Sequence, residues 1–221
     1  MSAHSPCDLQ RIYEARFQRN LTYRRAVWAV LIEDFFQRFV SADASVLDLG
    51  CGYGEFITQI RCARKYAMDL NPDAPGHLGA GVACFSQDCS AQWPLDEASL
   101  DVVFTSNFFE HLPDKAALGR TLDQIHRCLK PGGRLIAMGP NIRCLPGAYW
   151  DFWDHYVPLT EKSLGEALQS RGLRIEMSVD RFLPYTMADG PQYPLSCLRL
   201  YLRLRWSWRF FGKQFLIVAE R

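Results

Sequence analysis

Three glycines at alternate positions, directly after a short apolar run, constrain the fold of this chain more than any other feature. Residues 46–54 read Val-Leu-Asp-Leu-Gly-Cys-Gly-Tyr-Gly. The apolar part suits a buried strand. Gly50, Gly52 and Gly54 suit a backbone that turns sharply and approaches a ligand closely, where a Cβ would clash. Because Asp48 comes just before the turn, the sequence predicts a strand whose end presents a carboxylate beside a glycine-rich binding loop.

The spacing of these glycines separates the turn from a dinucleotide-binding motif. In that motif the third glycine comes three residues after the second, and a helix N-terminus faces a pyrophosphate. The spacing here is tighter. The negative charge of Asp48, just before the first glycine, would repel a phosphate and favour a cationic or hydroxyl-bearing ligand. A nicotinamide-dependent oxidoreductase on a similar sheet is therefore the less favoured alternative.

The composition indicates one domain with a substantial core. The chain has 221 residues, is 48% hydrophobic and carries a formal charge of +1, so no global field attracts nucleic acid. Its eight cysteines form no C-x-x-C pair and stand at no zinc-ligand spacing with histidines. We therefore expect no metal site and a reducing, cytoplasmic compartment. The start has no signal-peptide profile, and no apolar run is long enough to span a membrane.

Helical and strand patterns alternate along the chain. Apolar spacing predicts one or two amphipathic helices over 8–40, a short helix after the glycine turn, and a helix over 115–129 that Pro131-Gly132-Gly133 ends. Thr160 is a predicted N-cap of a helix that reaches Arg171. Strands are predicted at 45–49, 65–70, 81–86, 100–106, 134–138, 173–179 and 215–219. This alternation predicts a single α/β domain, a doubly wound parallel sheet covered by helices on both faces.

Residues 181–213 lengthen the connection between the last two predicted strands. Side chains from Leu198 to Leu204 alternate with period two, which suggests a strand, whereas the length from Pro194 to Gly212 and its good helix formers favour a helix. The stretch 195–211 is basic and aromatic. It could contact an anionic membrane surface, cover the acceptor pocket, form a dimer contact, or cap the sheet with its arginines in solvent.

Polar residues gather at the predicted carboxyl ends of the strands, where parallel sheets bind ligands. Asp69 follows the glycine turn by roughly 20 residues, the spacing at which an acidic residue takes the ribose hydroxyls of a nucleoside. The alternative is a solvated turn residue. Asp88 follows the third strand and could accept from an adenine amino group while Cys89 packs near the ring; the alternative is a surface acid. The segment 106–110 ends the fourth strand.

The ordered set of motifs resembles class I S-adenosylmethionine (SAM)-dependent methyltransferases that act on small molecules. The resemblance covers roughly residues 40–180 and includes the glycine turn, segment 100–112 and segment 130–135. It implies a Rossmann-like, seven-stranded sheet with an antiparallel last strand, and SAM as methyl donor. By this resemblance, the residues around the methionine portion of the cofactor are Asp48, Gly50, Cys51, Gly52 and Gly54. Asp69 is predicted at the ribose with Leu70 beside it, and Asp88 and Cys89 at the adenine. Asn107 is predicted near the methyl group, and Tyr13 either closes over the cofactor or packs in the core.

The chemistry needs no protein nucleophile. Holding two reactants in line can lower the activation free energy by about 7–11 kcal/mol. An alcohol or phenol acceptor must also lose its proton, which requires a base. His155, in the aromatic and acidic segment 149–156, is the first candidate base, and His111 is the second. The alternatives are a local hydrogen bond between Asp154 and His155 and a structural role for His111. Because similar bacterial methyltransferases accompany glycan or secondary-metabolite assembly, we expect O-methylation of a small hydroxylated acceptor. A non-catalytic SAM-binding or scaffold protein is the alternative.

Overall fold

The sheet has seven strands in the order β3-β2-β1-β4-β5-β7-β6. A computed structural model describes residues 20–185 and 192–221, together with Arg11. The strands are β1 (Ser45–Leu49), β2 (Arg64–Met68), β3 (Val82–Phe85), β4 (Leu100–Ser106), β5 (Leu129–Pro140), β6 (Arg174–Val179) and β7 (Gln214–Glu220). Neighbours among β1–β5 pair in parallel, and β7 is antiparallel to both β5 and β6. The predicted seven-stranded α/β sheet with an antiparallel last strand is confirmed.

Helices cover both faces of this sheet. They are α1 (Leu21–Asp34), α2 (Ala74–His77), α3 (Lys115–Cys128), α4 (Glu161–Gln169), α5 (Leu195–Arg203) and α6 (Arg205–Phe211), with short 3-10 turns at Phe36–Phe39, Phe109–His111 and Ala148–Asp151. Alternate residues of each strand point to opposite faces. Val46 accordingly packs in the core beneath α1, α5 and α6, whereas Leu47 packs in the core beneath α3 and α4.

Two local predictions are wrong. No regular helix follows the glycine turn: Thr58 and Ile60 N–H bond carbonyls four residues back, but Gln59 N–H bonds the Phe56 carbonyl three residues back, so residues 55–59 form only turns. The fifth strand is longer than predicted. It begins at Leu129, which pairs with Leu100 before a register shift, so Pro131-Gly132-Gly133 lies inside the strand and not between helix and strand.

Residues 195–203 and 205–211 are helical, so the strand alternative for this stretch is wrong. Arg199 of α5 forms ion pairs with Glu33 and Asp34 of α1, and Trp208 of α6 is buried. The outer face leaves Leu200, Trp206, Phe210 and Phe211 between 57% and 66% exposed. A membrane, dimer or acceptor-pocket contact through this face stays a prediction. In the part of the chain that the structure describes, no helix combines the length and the apolar character needed to cross a membrane.

The predicted N-cap of α4 is confirmed. Thr160 Oγ1 accepts from Ser163 N–H at 3.0 Å, and Ser163 Oγ accepts from Thr160 N–H at 3.0 Å, which forms a capping box. We expect Thr160→Ala to lower the free energy of unfolding by about 0.5–2 kcal/mol, since one helix-end donor loses its acceptor. Thr160→Ser keeps the hydroxyl and serves as the control. Urea unfolding measures both, and equal losses in the two variants would exclude the cap as the cause.

Candidate functional site

The glycine turn between β1 and residue 55 has a backbone that favours glycine at each of its three glycine positions. Gly50, Gly52 and Gly54 have φ values of +69°, +54° and +72°. A Cβ on Gly50 would lie 2.3 Å from the Phe108 ring, and a Cβ on Gly54 would lie 2.2 Å from the Leu78 side chain. Side chains of this protein therefore pack directly on the turn, and any larger residue there would displace them.

Asp69 fastens the glycine turn to the end of β2. Its Oδ2 accepts from Gly52 N–H at 2.7 Å, and its Oδ1 accepts from Asn71 N–H at 2.8 Å. Burial raises the pKa of Asp69, and the N–H groups of Asn71 and Gly52 oppose that rise. Because an ionised carboxylate offers about four lone-pair positions, each oxygen can accept a further hydrogen bond from a hydroxyl. This geometry fits the ribose role predicted for Asp69.

Asp48 is a second carboxylate beneath the turn. It is 4% exposed, and Oδ2 accepts from Ile57 N–H at 3.3 Å. Burial raises the pKa of Asp48 well above its ordinary value, and the negative charges of Glu55 and Asp69 raise it further. A cation beside this carboxylate would offset that burial, which agrees with the predicted preference for a positively charged ligand.

The remaining predicted cofactor residues follow β1, β2, β3 and β4. Leu70 is half-buried beside Asp69. Asp88 Oδ1 accepts from Ser90 N–H at 2.8 Å, whereas Cys89 is buried in the core with Sγ 3.4 Å from Thr121 Oγ1 of α3. Cys51 is also buried, and burial raises the pKa of its thiol. These contacts give both cysteines a packing role in the described fold.

Asn107 has two unusual properties at the end of β4. Its φ is +50°, a value that is uncommon outside glycine. Its Nδ2 donates to Ser106 Oγ at 3.0 Å, but its Oδ1 is buried with no hydrogen-bond partner among the described residues. Strained and unpaired groups are concentrated at functional sites, so Asn107 fits the predicted position near the reacting group.

A second cluster, formed by Glu110, His111 and His155, joins the loop after β4 to the loop after β5. The Glu110 carbonyl accepts from Tyr156 N–H at 2.8 Å and from Val157 N–H at 3.1 Å, which fastens the two loops together. One nitrogen or carboxylate oxygen from each of the three cluster side chains lies within 4.8 Å of the corresponding atoms of the other two. The fold therefore brings both candidate histidines to one place, together with a buried carboxylate.

Backbone carbonyls fix the two imidazole rings. His111 Nδ1 lies 2.9 Å from the Asp154 carbonyl oxygen and 3.2 Å from Asp154 Oδ2, and His155 Nδ1 lies 2.9 Å from the Tyr149 carbonyl oxygen. A carbonyl can only accept, so each Nδ1 carries a proton and, in the neutral ring, Nε2 carries the lone pair. Phe152 stacks on His155 with ring centroids 5.0 Å apart. Both rings are thus held in the tautomer in which Nε2 binds a proton or a metal.

Burial and mutual charge shift the titration of this cluster. Burial raises the pKa of Glu110 to about 7, although the His111 charge opposes the rise. Burial lowers the pKa of His111, but the hydrogen bond to Asp154 and the charges of Glu110 and Asp154 outweigh it, so the net shift is upward. Because β1 and β4 are parallel neighbours, the glycine turn after β1 and Glu110 and His111 after β4 lie at one edge of the sheet.

The family of this chain follows from its match to known proteins. A family model described as a methyltransferase domain matches residues 20–177. The chain belongs to the methyltransferase-domain family. A probable S-adenosylmethionine-dependent methyltransferase of Mycolicibacterium smegmatis is 29% identical over 185 residues, which cover 80% of this chain and 68% of that protein. This methyltransferase is accordingly an enzyme of the SAM-dependent class, and its cofactor is SAM.

Two further similarities concern a hydroquinone methyltransferase and a solved structure. The 2-methyl-6-phytyl-1,4-hydroquinone methyltransferase of Synechocystis is 26% identical over 151 residues, covering 58% of this chain but only 46% of that protein. This chain thus spans less than half of that relative's length. The crystal structure of a SAM-dependent methyltransferase from Archaeoglobus fulgidus has a TM-score of 0.67 and 19% identity, and covers 93% of this chain and 99% of that chain. At this level of identity, the similarity shows that the two chains share a fold.

The structure adds Glu110 and Asp154 to the residues that the sequence predicts for the site. Tyr13 lies outside the described residues. In the sequence Glu110 stands out only as part of segment 106–110, and the sequence suggests His155 as the partner of Asp154, whereas the Asp154 carboxylate and carbonyl both contact His111. The adjacent Glu-His pair directly after a buried strand was the available signal for Glu110. No local signal connects His111 with Asp154, because the contact joins two distant loops.

Proposed function

We propose that this methyltransferase transfers a methyl group to an oxygen atom of a small hydroxylated acceptor, such as a sugar, a glycan precursor or a secondary metabolite. SAM, when bound, supplies a methyl group made electrophilic by its sulfonium. The observation that carries the proposal is the position of the Glu110, His111 and His155 cluster beside the glycine turn. Phe108 connects the two, since its ring packs on Gly50 and its backbone leads into Glu110.

The glycine turn and its carboxylates bind the methyl donor in this proposal. Asp69 accepts hydrogen bonds from the ribose hydroxyls with the lone pairs that Gly52 and Asn71 leave available. Asp48 attracts the positive charge of the methionine portion. Asn107 lies next to the transferred group, where its Oδ1 gains the partner that the described residues do not provide.

His155 removes the proton of the acceptor hydroxyl. Its Nδ1 is anchored on the Tyr149 carbonyl, so Nε2 is the basic atom, and Phe152 holds the plane of the ring. An imidazole has a pKa close to neutral and is therefore an efficient base at physiological pH. Glu110 is a buried neighbour that stabilises the imidazolium after proton transfer when it is ionised.

Aromatic side chains near His155 favour an acceptor with an apolar face. Trp150 and Trp153 are 57% and 84% exposed, and Trp153 precedes the Asp154-His155 pair. Exposed indole rings pack on sugar faces or on flat rings. Since the Synechocystis relative is named for a hydroquinone, phenolic acceptors belong in the same set. The cytoplasm is the proposed compartment, because all the cysteines of the described residues are free.

Ligand binding tests the donor half of this proposal. We expect SAM and S-adenosylhomocysteine to raise the melting temperature of the protein, because ligands that bind the native state stabilise it, and we expect NAD to leave it unchanged. Isothermal titration with the same ligands gives the affinities. Stabilisation by NAD alone would favour the oxidoreductase alternative. A methyl-release assay over sugars, phenols and other alcohols then tests the acceptor half; SAM binding without turnover on any of them would favour a non-catalytic role.

A further inference from the structure

The Glu110, His111 and His155 cluster contains an unexplained carboxylate. Glu110 is 3% exposed, and its Oε1 is buried with no hydrogen-bond partner among the described residues. Its other oxygen, Oε2, lies close to Gly139: a Cβ added to that glycine would be 3.4 Å from Oε2. A buried carboxylate oxygen without a partner is costly, and proteins usually satisfy such an oxygen with a donor or a metal ion.

The geometry points to a metal site: we propose that Glu110, His111 and His155 bind one divalent transition-metal ion. Their ligand-type atoms all lie within 4.8 Å of one another. Ligands at roughly 2.1 Å from one ion are at most about 4.2 Å apart, so a small rotation of these side chains brings all three into coordination. The ion supplies the missing partner of Glu110 Oε1.

The groups around the histidines have the arrangement that metal ligands require. A metal-binding imidazole usually donates its second ring N–H to a carbonyl or carboxylate, which fixes its orientation and increases its basicity. His111 Nδ1 contacts the carbonyl and the carboxylate of Asp154, and His155 Nδ1 contacts the Tyr149 carbonyl. Both rings therefore direct Nε2 to bind, and neither needs a change of tautomer.

The ligand set determines the kind of ion. Two imidazoles and one carboxylate suit zinc, manganese, iron(II), cobalt or nickel, whereas Ca²⁺ and Mg²⁺ prefer oxygen ligands. Three protein ligands leave coordination positions for water or for an acceptor hydroxyl, and a bound ion lowers the pKa of such a hydroxyl. This use of the ion rests on the proposed function and replaces His155 as the group that promotes proton loss. Binding of the ion itself does not depend on the proposed function.

Cysteine spacing gives no signal for this site, because none of its three ligands is a cysteine. Glu110 and His111 are adjacent after β4, but His155 follows β5. Only the packing of the two loops, through hydrogen bonds from Tyr156 and Val157 to the Glu110 carbonyl, gives the third ligand. A ligand set assembled from two loops has no local sequence signature.

Titration of the chelator-treated protein with Co²⁺ tests the site directly. We expect one equivalent of Co²⁺ to bind, with visible absorption bands of nitrogen and oxygen coordination and without the intense near-ultraviolet bands of a cobalt thiolate. Zn²⁺ and Mn²⁺ should compete for it. Absence of saturable binding by the wild-type chain, or bands of thiolate coordination, would overturn the proposal.

Matched variants assign the binding to the cluster. Glu110→Gln and His155→Ala should each weaken Co²⁺ binding at least tenfold, whereas His126→Ala, on α3 and outside the cluster, should leave it unchanged. Far-ultraviolet circular dichroism establishes that each variant is folded. Equal Co²⁺ affinities in all three variants would show that the ion binds outside the cluster and would reject the assignment of Glu110 and His155 as ligands. SAM binding measured with and without chelator is the separate readout of the proposed function: loss of SAM binding in both states rejects that function and leaves the metal site standing.

Discussion

Replacing His155 with alanine is expected to lower turnover about 10²–10⁴-fold and to leave SAM affinity unchanged. In the proposed function the imidazole removes the acceptor's proton, either as a base or through an ion that it binds. It belongs to the loop after β5, whereas the proposed donor-binding residues lie at the ends of β1, β2, β3 and β4. Steady-state methyl-release assays measure turnover, and isothermal titration measures SAM affinity.

Two variants separate this chemical role from a purely structural one. His155 Nδ1 also contacts the Tyr149 carbonyl, so alanine removes an anchor of the loop. His155→Asn keeps a short donor for that carbonyl but has no atom in the place of Nε2, and it should lose turnover as alanine does. His126→Ala, at the far end of α3, is the control with normal turnover. Near-normal turnover in His155→Asn, with a loss only in His155→Ala, would reduce His155 to a loop anchor.

A chelator distinguishes the two ways in which His155 can act. If the imidazole is itself the base, chelation leaves wild-type turnover unchanged and added Zn²⁺ inhibits, because the ion occupies Nε2. If His155 is a metal ligand, chelation lowers turnover and the ion restores it. In both cases His155→Ala is slow, so the comparison uses the wild-type enzyme.

The sequence predicted the sheet well because strand and helix periods are local properties. The buried runs around Val46 and Val102 have apolar residues on both faces, as parallel strands require. Prediction was less successful where tertiary contacts override local pattern. After the glycine turn, Gln59 N–H bonds the Phe56 carbonyl three residues back and only turns form, and Leu129 extends β5 by pairing with Leu100.

The site was predictable in proportion to how local its signals are. The glycine at position 50 and its spacing to Asp69 can be read from a single stretch of the sequence. In the structure Gly50 has a positive φ, and Asp69 contacts the glycine turn through Gly52 N–H. The contact between His111 and Asp154 and the grouping of Glu110 with His155 depend on how the loops after β4 and β5 pack. Such contacts arise from the fold, so no spacing rule could have found them.

Replacing Asp69 with alanine is expected to weaken SAM binding by about 1.5–3 kcal/mol, or roughly ten- to 150-fold in Kd. This is the scale of a hydrogen bond that involves a charged group, and the carboxylate offers lone pairs to two hydroxyls at once. Isothermal titration measures the affinity directly. Asp96→Ala, which removes an exposed carboxylate from the loop before β4, is the control and should bind SAM as the wild type does.

A loss of affinity in Asp69→Ala has two physical origins that can be separated. The carboxylate also accepts from Gly52 N–H, so its removal loosens the glycine turn as well as the ribose contact. Titration with 2′-deoxy and 3′-deoxy analogues of S-adenosylhomocysteine resolves them. If Asp69 binds the ribose, each analogue loses affinity for the wild type but little for Asp69→Ala, because the partner is already absent. Equal losses in both proteins, or unchanged SAM affinity in Asp69→Ala, would limit Asp69 to holding the turn.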